Sequence, residues 1–147
     1  MTYGVEHARL PLAGLTQLAS EARDEGFAFL NRLIADWGDE SNCFDREGER
    51  LMSIHVDGEL IAIGGLNIDP YGDSDRVGRL RRFYVKPSHR RGGVGHRLIG
   101  ALLEGAEEHF DIIRLRTNNP DAMAFYEAYG FERVGLENVT HSLALAD

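Results

Sequence analysis

A turn rich in glycine and arginine joins a strand pattern to a helix pattern in the middle of the chain. Residues 78–85, GRLRRFYV, read as a strand, and residues 94–110 have the apolar spacing of an amphipathic helix. The first turn of a helix leaves backbone N–H groups unpaired, and these carry about half a positive charge. Glycines let an oxyanion approach such a backbone closely. The turn therefore predicts a site for a compact anion such as a pyrophosphate, although a solvated basic turn would contain the same residues.

The surrounding patterns place this turn in a mixed sheet. Residues 111–117 read as a strand after the helix, and a strand–helix–strand unit implies parallel strands. Residues 50–68 instead predict an antiparallel hairpin, because Asp57-Gly58 is a preferred two-residue turn. The predicted order is β-α-α-β-β-β-α-β-α-β-β, with Pro11 in the first turn of the first helix. We therefore expect an α+β fold, mixed α/β in character, with helices on both faces of the sheet.

Length and charge narrow the class of protein. A chain that is 147 residues long and 43% hydrophobic suggests a single domain over residues 1–147. Residues 77–116 hold nine Lys or Arg against four Asp or Glu, although the whole chain has a net charge of −8. Such a local basic segment favours a compact anionic ligand and argues against a nucleic-acid surface.

The sequence also gives expectations about location and metals. No apolar run is long enough to cross a bilayer, and the N-terminus does not read as a signal peptide. We therefore expect a cytoplasmic protein with no membrane partner. Cys43 is the single cysteine and has no neighbours at metal-ligand spacing, so we expect no metal.

Two common glycine-turn motifs do not match. A nucleotide P-loop requires a Lys-Ser or Lys-Thr pair, which the chain lacks. A dinucleotide fingerprint requires a third glycine where Leu98 stands. What remains is Arg90-x-x-Gly93-x-Gly95, between a strand and a helix.

This remaining pattern resembles the [QR]-x-x-G-x-[GA] signature of the GNAT superfamily of acetyl-CoA-dependent N-acyltransferases. Residues 118–131, NNPDAMAFYEAYGF, are similar to a second segment of that family, and the two blocks cover about residues 79–132. The resemblance implies a GNAT-like central mixed sheet, mostly antiparallel, of about six to seven strands flanked by about four helices. Two parallel strands of this sheet would splay apart. The resemblance also implies acetyl-CoA as co-substrate and an amine as acceptor.

The strand ahead of the turn has an inconsistent alternation. Phe83 and Val85 share one face, but counting back by two reaches Arg81, whereas the apolar residue is Leu80. A β-bulge near Arg81 and Arg82 would restore the pattern, and an edge-like strand with arginines on its wet face is the alternative. The resemblance favours the bulge, because GNAT folds splay their parallel strands there and bind acyl-CoA in the opening.

The resemblance implies roles for individual residues. The implied catalytic residues are Phe83, whose N–H would bond the acetyl carbonyl oxygen, and Tyr126, which would protonate the leaving thiolate. The Val85 backbone would pair with the pantetheine arm. Asn119 is a predicted N-cap and would also contact the pantetheine. The complete predicted cofactor-binding set is Phe83, Val85, Arg90, Arg91, Gly92, Gly93, Val94, Gly95, His96, Arg97, Asn119 and Tyr126.

The general base and the acceptor pocket stay open at this point. Many GNAT members carry a glutamate on the strand before the bulge, and Arg79 stands there. An alkylamine at pH 7 needs about 4–5 kcal/mol to lose its proton. The candidate bases are His55, His89, His141, Asp73, Asp75, Glu137 or an ordered water. The expected acceptor pocket includes Glu21, Asp24, Glu25 and Trp37, whose acidic members suit a cationic amine and equally a solvated surface.

We therefore expect an N-acetyltransferase that moves acetyl from acetyl-CoA to a small-molecule or peptide amine, by direct attack in a ternary complex. The missing glutamate motivates an alternative, a non-catalytic acyl-CoA-binding module that serves sensing or assembly. A nucleotide-binding protein is a third reading, which rests on the glycine turn alone. The identity of the amine is open, and so is the oligomeric state, with a homodimer as one possibility.

Overall fold

A computed structural model describes residues 2–145 as a seven-stranded sheet with four α-helices. The elements are β1 (Tyr3–His7), α1 (Leu15–Asp24), α2 (Phe29–Gly38), β2 (Arg50–Val56), β3 (Glu59–Ile68), β4 (Val77–Val85), α3 (Val94–Leu103), β5 (Ile112–Leu115), α4 (Pro120–Tyr129), β6 (Glu132–Leu136) and β7 (Val139–Ala144). The predicted order of elements is confirmed. Two short 3-10 turns, Pro87–His89 and Ala106–Glu108, lie on either side of α3.

The strands are ordered β1-β2-β3-β4-β5-β7-β6 across the sheet. The pair β4–β5 is parallel, and the other five neighbouring pairs are antiparallel. A helix connects the parallel pair, as a parallel connection requires. The predicted mixed, mostly antiparallel sheet is therefore confirmed.

Each face of the sheet has its own hydrophobic core. On the α3/α4 face, Leu98, Leu102 and Tyr126 pack with Phe110 against the sheet. On the α1/α2 face, the packed residues are Leu15, Leu18, Leu30, Leu33, Phe44 and Tyr84. These two cores hold β4 and β5 between them, and this arrangement positions the site described below.

The predicted hairpin is confirmed at its turn. Val56 pairs with Glu59, so Asp57 and Gly58 alone form the loop. Their φ angles are 51° and 81°, the left-handed values that a type I′ turn needs at both central positions.

Two predicted helix boundaries are wrong. The first helix begins at Leu15, after Gly14 with a φ of 88°, so Pro11 lies ahead of it. The helix after the glycine turn ends at Leu103 and does not continue to residue 110, because the chain turns at Gly105 with a φ of 71°. Glycine adopts this conformation at little cost and commonly ends helices.

No helix within residues 2–145 has the length and apolar character to span a bilayer. Over the same residues, no three His, Cys, Asp or Glu side chains are grouped so that they could hold a metal ion. Cys43 lies partly buried between α2 and β2, where its Sγ is 3.8 Å from the Trp37 carbonyl oxygen.

Candidate active site

β4 contains a bulge at Arg82 and Phe83. These two residues lie opposite the single Gly64 of β3, because the register between the strands shifts there. Arg82 has a left-handed φ of 58°, which accommodates the extra residue. The bulge predicted near Arg81 and Arg82 is therefore confirmed.

The bulge sorts the side chains of β4 between the two faces. The Phe83 ring lies on the α3/α4 face, with its centroid 5.8 Å from that of Tyr126. Arg82 points to the α1/α2 face, where its Nη2 lies 3.3 Å from Oδ2 of Asp36. Arg81 lies on that same face and lines a cleft there. Two consecutive arginines thus share one face, which a regular strand would not allow.

The parallel strands part soon after they pair. Val77–Arg79 of β4 pair with Ile112–Arg114 of β5, and no further pairs follow. β5 ends at Leu115, whereas β4 continues to Val85. The last part of β4 therefore has an open edge, and the predicted splay is confirmed.

The open edge carries the polar backbone groups of Phe83 and Val85. The Lys86 N–H donates to the Ile61 carbonyl on β3 at 2.7 Å, and successive strand residues direct these groups to opposite edges. The Val85 backbone therefore faces the opening, where its carbonyl accepts a bond from Arg90 Nε at 2.8 Å. Phe83, two residues earlier, shares that direction. Both residues thus present backbone groups to the opening between the strands.

The glycine turn contains two left-handed residues, Arg91 with a φ of 68° and Gly93 with a φ of 84°. Gly93 is the N-cap of α3, and the Arg97 N–H donates the first helical bond to its carbonyl at 3.1 Å. The N–H groups that precede this bond have no helical partner. They belong to Val94, Gly95 and His96. The predicted anion-binding amides are therefore present, but they end at His96 because the helix uses that of Arg97.

The arginine side chains of the turn point in different directions. Arg90 grips Glu25 through two bonds, Nη1–Oε2 at 2.9 Å and Nη2–Oε1 at 2.7 Å, and this lowers the pKa of Glu25. The Arg97 guanidinium lies 5.3 Å from the centre of the Tyr3 ring. Arg91 is exposed and forms no ion pair within residues 2–145. Of these three predicted diphosphate ligands, Arg91 is therefore the one whose guanidinium has no partner within residues 2–145. Arg90 instead links the glycine turn to Glu25 at the end of α1.

The start of α3 also packs against α4. The His96 ring lies 5.3 Å from that of Phe125 and 5.7 Å from that of Tyr129. A Cβ added at Gly95 would lie 3.0 Å from two carbons of the Phe125 ring, whereas one at Gly92 would meet open space. A side chain at position 95 would therefore disturb the packing of α3 against α4, in addition to covering the backbone N–H groups at the start of α3.

Tyr126 is buried, with 7% of its surface exposed. Its ring is surrounded by those of Phe83, Phe125 and Phe131, with centroids 5.8, 5.3 and 5.6 Å away. Burial raises the pKa of Tyr126 above its ordinary value, because the charged form would lose its hydration. Its hydroxyl therefore stays protonated and able to donate.

Asn119 caps α4 as predicted. Its Oδ1 accepts a bond from the Ala122 N–H at 3.0 Å, and Pro120 occupies the first helical position. The cap uses the amide oxygen of the side chain and leaves the amide nitrogen, so cofactor contact through that nitrogen stays a prediction.

Arg79, at the position of the expected glutamate, is almost fully buried. Its Nη2 donates to the Asn138 carbonyl at 2.6 Å, and its Nη1 lies 3.5 Å from Oδ1 of Asp69. The guanidinium also stacks on Tyr71, 4.7 Å from the ring centre. A guanidinium held in this way cannot accept a proton from an amine.

The candidate bases occupy separate elements. His141 is fully buried, with Nε2 2.7 Å from Oε2 of Glu127, and is part of the packing between α4 and β7. His89 lies edge-on to Tyr3. The others are distributed over β2 (His55), the β3–β4 loop (Asp73 and Asp75) and the β6–β7 turn (Glu137). The structure does not assemble one base site from them.

The predicted acceptor-pocket residues serve other contacts. Glu21 lies 3.4 Å from the Lys86 ammonium, Glu25 binds Arg90, and Trp37 packs into the core of the α1/α2 face. Glu21 and Asp24 also line an open depression along α1.

A separate cleft of about 490 Å³ lies between residues 40–46 and 67–75, and Arg81 lines it too. The sequence did not predict this cleft, because its lining loops carry only the polar pattern of ordinary turns. Two of its lining residues, Asp73 and Asp75, are nevertheless among the predicted candidate bases.

Known proteins resemble the chain in sequence and in structure. A model of the acetyltransferase (GNAT) family matches residues 13–131. N-alpha-acetyltransferase RimI of Mycobacterium tuberculosis is 33% identical over 84 residues, which are 52% of this chain and 53% of that protein. The uncharacterized protein ML0378 of Mycobacterium leprae is 46% identical over 52 residues, 35% of this chain and 14% of that protein. The chain thus spans about half or less of the length of these relatives.

Solved structures share the whole fold. A crystal structure from Exiguobacterium sp. 255-15, assigned as an acetyltransferase, superposes with a TM-score of 0.87 at 27% identity, covering 98% of this chain and 94% of the other. An acetyltransferase of the GNAT family from Staphylococcus aureus Mu50 gives a TM-score of 0.77 at 16% identity, covering 99% and 100%. The family model, which matches residues 13–131, shows that the chain belongs to the GNAT family of acetyltransferases, and the bulge, the open strand edge and the glycine turn agree with it.

Proposed function

We propose that this protein transfers an acetyl group from acetyl-CoA to an amine, by direct attack within a ternary complex. The observation that carries the proposal is the bulge of β4 at the open strand edge, directly ahead of the glycine turn. Together they offer backbone donors along a slot that ends in a helix N-terminus. GNAT enzymes use acyl-CoA as co-substrate, and this slot suits a long chain with an anionic end.

The diphosphate end of acetyl-CoA fits the start of α3. The unpaired amides of Val94, Gly95 and His96 carry partial positive charge, and Arg91 adds a free guanidinium. No side chain obstructs the backbone at Gly92 and Gly93, where an added Cβ would meet nothing within 4 Å. Arg90 contributes indirectly, since its grip on Glu25 holds the turn against α1.

The thioester end fits the bulge. The Phe83 N–H faces the open edge and donates to the acetyl carbonyl oxygen, so it stabilises negative charge that develops there. The Val85 backbone aligns the neighbouring amide-containing arm. The bound co-substrate supplies a reactive thioester. Tyr126 lies beside Phe83, and its hydroxyl, which is neutral, is the proton donor to the departing sulfur.

The lack of a carboxylate at position 79 bears on which amine is used. An α-amine with a pKa near 7.7–8.0 needs only about 1 kcal/mol to lose its proton at pH 7, against about 4–5 kcal/mol for an alkylamine. A water that leads to solvent suffices for the first case. The name of the relative RimI, an N-alpha-acetyltransferase, supports an α-amine acceptor.

Direct attack is favoured by the state of the single cysteine. Cys43 lies in the α2–β2 loop, and partial burial raises the pKa of its thiol. A thiol that is held protonated is a poor nucleophile. A covalent acetyl-cysteine step therefore has no suitable residue here.

The test is release of CoA thiol when acetyl-CoA meets a panel of amines, peptides and amino acids. The protein should be used as Cys43→Ser, so that the thiol reagent detects CoA alone. Turnover in this variant supports the proposal and direct attack together. Silence across the panel, with acetyl-CoA still binding by calorimetry, would instead support a non-catalytic acyl-CoA-binding module, which the arginine at position 79 favours.

A further inference from the structure

Five arginines lie on one face of the sheet around the opening between β4 and β5. They are Arg79, Arg81 and Arg82 of β4, Arg114 of β5, and Arg116 just beyond it. Strand residues alternate between faces, and Ile113 and Leu115 point into the core of the α3/α4 face. Arg114 therefore points to the α1/α2 face, as do its neighbours on β4. We call this group the arginine face.

The arginine face has fewer ion-pair partners than arginines. Asp69 lies 3.5 Å from Nη1 of Arg79 and 3.8 Å from Nη1 of Arg114, and its side chain is 1% exposed. Asp36 is the partner of Arg82. Within residues 2–145, two carboxylates thus supply the ion pairs of these five arginines. Within residues 2–145, Arg81 and Arg116 form no ion pair.

Several of these guanidinium groups are buried and incompletely bonded. The side chains of Arg79 and Arg82 are 6% and 8% exposed. Nη1 of Arg79, Nε of Arg82 and Nε of Arg114 are buried and have no hydrogen-bond acceptor. Burying a donor without a partner costs about 1–3 kcal/mol, and more when it is charged. Burial also lowers the pKa of Arg79 and Arg82.

We propose that the acceptor of the acetyl group carries a carboxylate, which binds to the arginine face while its amine reaches the bulge. This inference rests on the acetyltransferase function proposed above. Arg81 lies two residues from Phe83, about 7 Å along a strand. A carboxylate only a few bonds from the reacting amine spans that distance. Suitable acceptors are a free amino acid, or a peptide whose first residue is acidic.

The charge of the arginine face also disfavours a cationic acceptor. A polyamine would bring ammonium groups next to guanidinium groups that already repel one another. Arg81 also lines the neighbouring cleft, whose acidic residues come from the α2–β2 loop (Glu40, Asp45) and the β3–β4 loop (Asp73, Asp75). None of these four forms an ion pair with Arg81 within residues 2–145. The enzyme should therefore prefer acceptors that carry a carboxylate over acceptors that lack one.

The test compares acceptors that differ by one carboxylate. Glycine against glycinamide probes a free amino acid, and Asp-Ala-Ala-amide against Asn-Ala-Ala-amide probes a peptide. A carboxylate nearby raises the pKa of an amine, so chemistry alone favours the amides. We expect the carboxylate member of at least one pair to have the higher kcat/KM, by about tenfold or more. The pair that responds identifies the source of the carboxylate.

Two variants locate the effect. Arg81→Gln and Arg116→Gln should each raise KM for the carboxylate acceptor by about tenfold, with the Kd of acetyl-CoA unchanged. Arg9→Gln, an exposed arginine ahead of α1, is the control with the same loss of charge. Equal use of all acceptors, or a preference for spermidine that Arg81→Gln leaves intact, would overturn the inference while acetyl transfer stands. If no amine gives CoA thiol release, the proposed acetyltransferase function is refuted, and this inference is refuted with it.

Discussion

Tyr126→Phe removes one oxygen atom from the proposed site. The ring keeps its contacts with three aromatic neighbours, at centroid distances of 5.3–5.8 Å. Because at most one hydrogen bond is lost, the free energy of unfolding should fall by less than about 1.5 kcal/mol. In a chain of 147 residues this lowers Tm by a few degrees.

The effect on catalysis should be much larger. General acid catalysis contributes about 10²–10⁴-fold, so kcat should fall by about 10²-fold or more, which is about 2.7 kcal/mol in the barrier. The Kd of acetyl-CoA should stay within a few-fold of wild type, because the proposed diphosphate contacts lie at the start of α3. In the wild type the raised pKa of Tyr126 keeps the hydroxyl protonated. Ionisation of Tyr126 should therefore cause no loss of kcat below about pH 10.

The assay is steady-state thiol release with the best acceptor, paired with calorimetry of acetyl-CoA binding. Tyr129→Phe is the matched control, since it removes a hydroxyl from the same helix beside His96 but away from Phe83. It should keep the wild-type kcat. A Tyr126→Phe variant whose kcat stays within about threefold of wild type would refute the assignment of Tyr126 as proton donor.

Three further predictions follow from local geometry. Gly93→Ala forces a side chain into a φ of 84° and should weaken acetyl-CoA binding with a loss of about 1–2 kcal/mol in stability, whereas Gly92→Ala should keep the wild-type urea midpoint. Gly65→Ala places a Cβ 2.4 Å from the buried Phe44 ring and should lower the free energy of unfolding by about 1–3 kcal/mol; a wild-type midpoint in urea would contradict this overpacking. Hydrogen bonds from His141 and Arg133 lower the pKa of Glu127. The ionised Glu127 side chain therefore stabilises the fold above pH 4.5, and this stabilisation is lost as the pH falls. Glu127→Gln should therefore flatten the acid-unfolding curve, and an unchanged slope would show that the bond contributes nothing.

The sequence alone determined the order of elements and the position of the glycine turn. These signals are local, because turn residues and apolar spacing act over a few neighbours along the chain. The bulge was also predictable, because the alternation of apolar and polar residues along the strand breaks at Arg81 and Arg82. The same locality explains the errors at Pro11 and at the end of α3, where a glycine conformation overrode a continuous helical pattern.

The partners of the charged side chains were decided only by the tertiary structure. Glu25 and Arg90 are 65 positions apart and meet because α1 packs beside the end of β4. Arg79 and Arg114 become neighbours only through the parallel pairing of β4 and β5. Long side chains on a sheet reach residues from any part of the chain, and local pattern carries no information about which ones. For this reason the sequence determined where acetyl-CoA is expected to bind, whereas the arginine face opposite it was visible only in the folded protein.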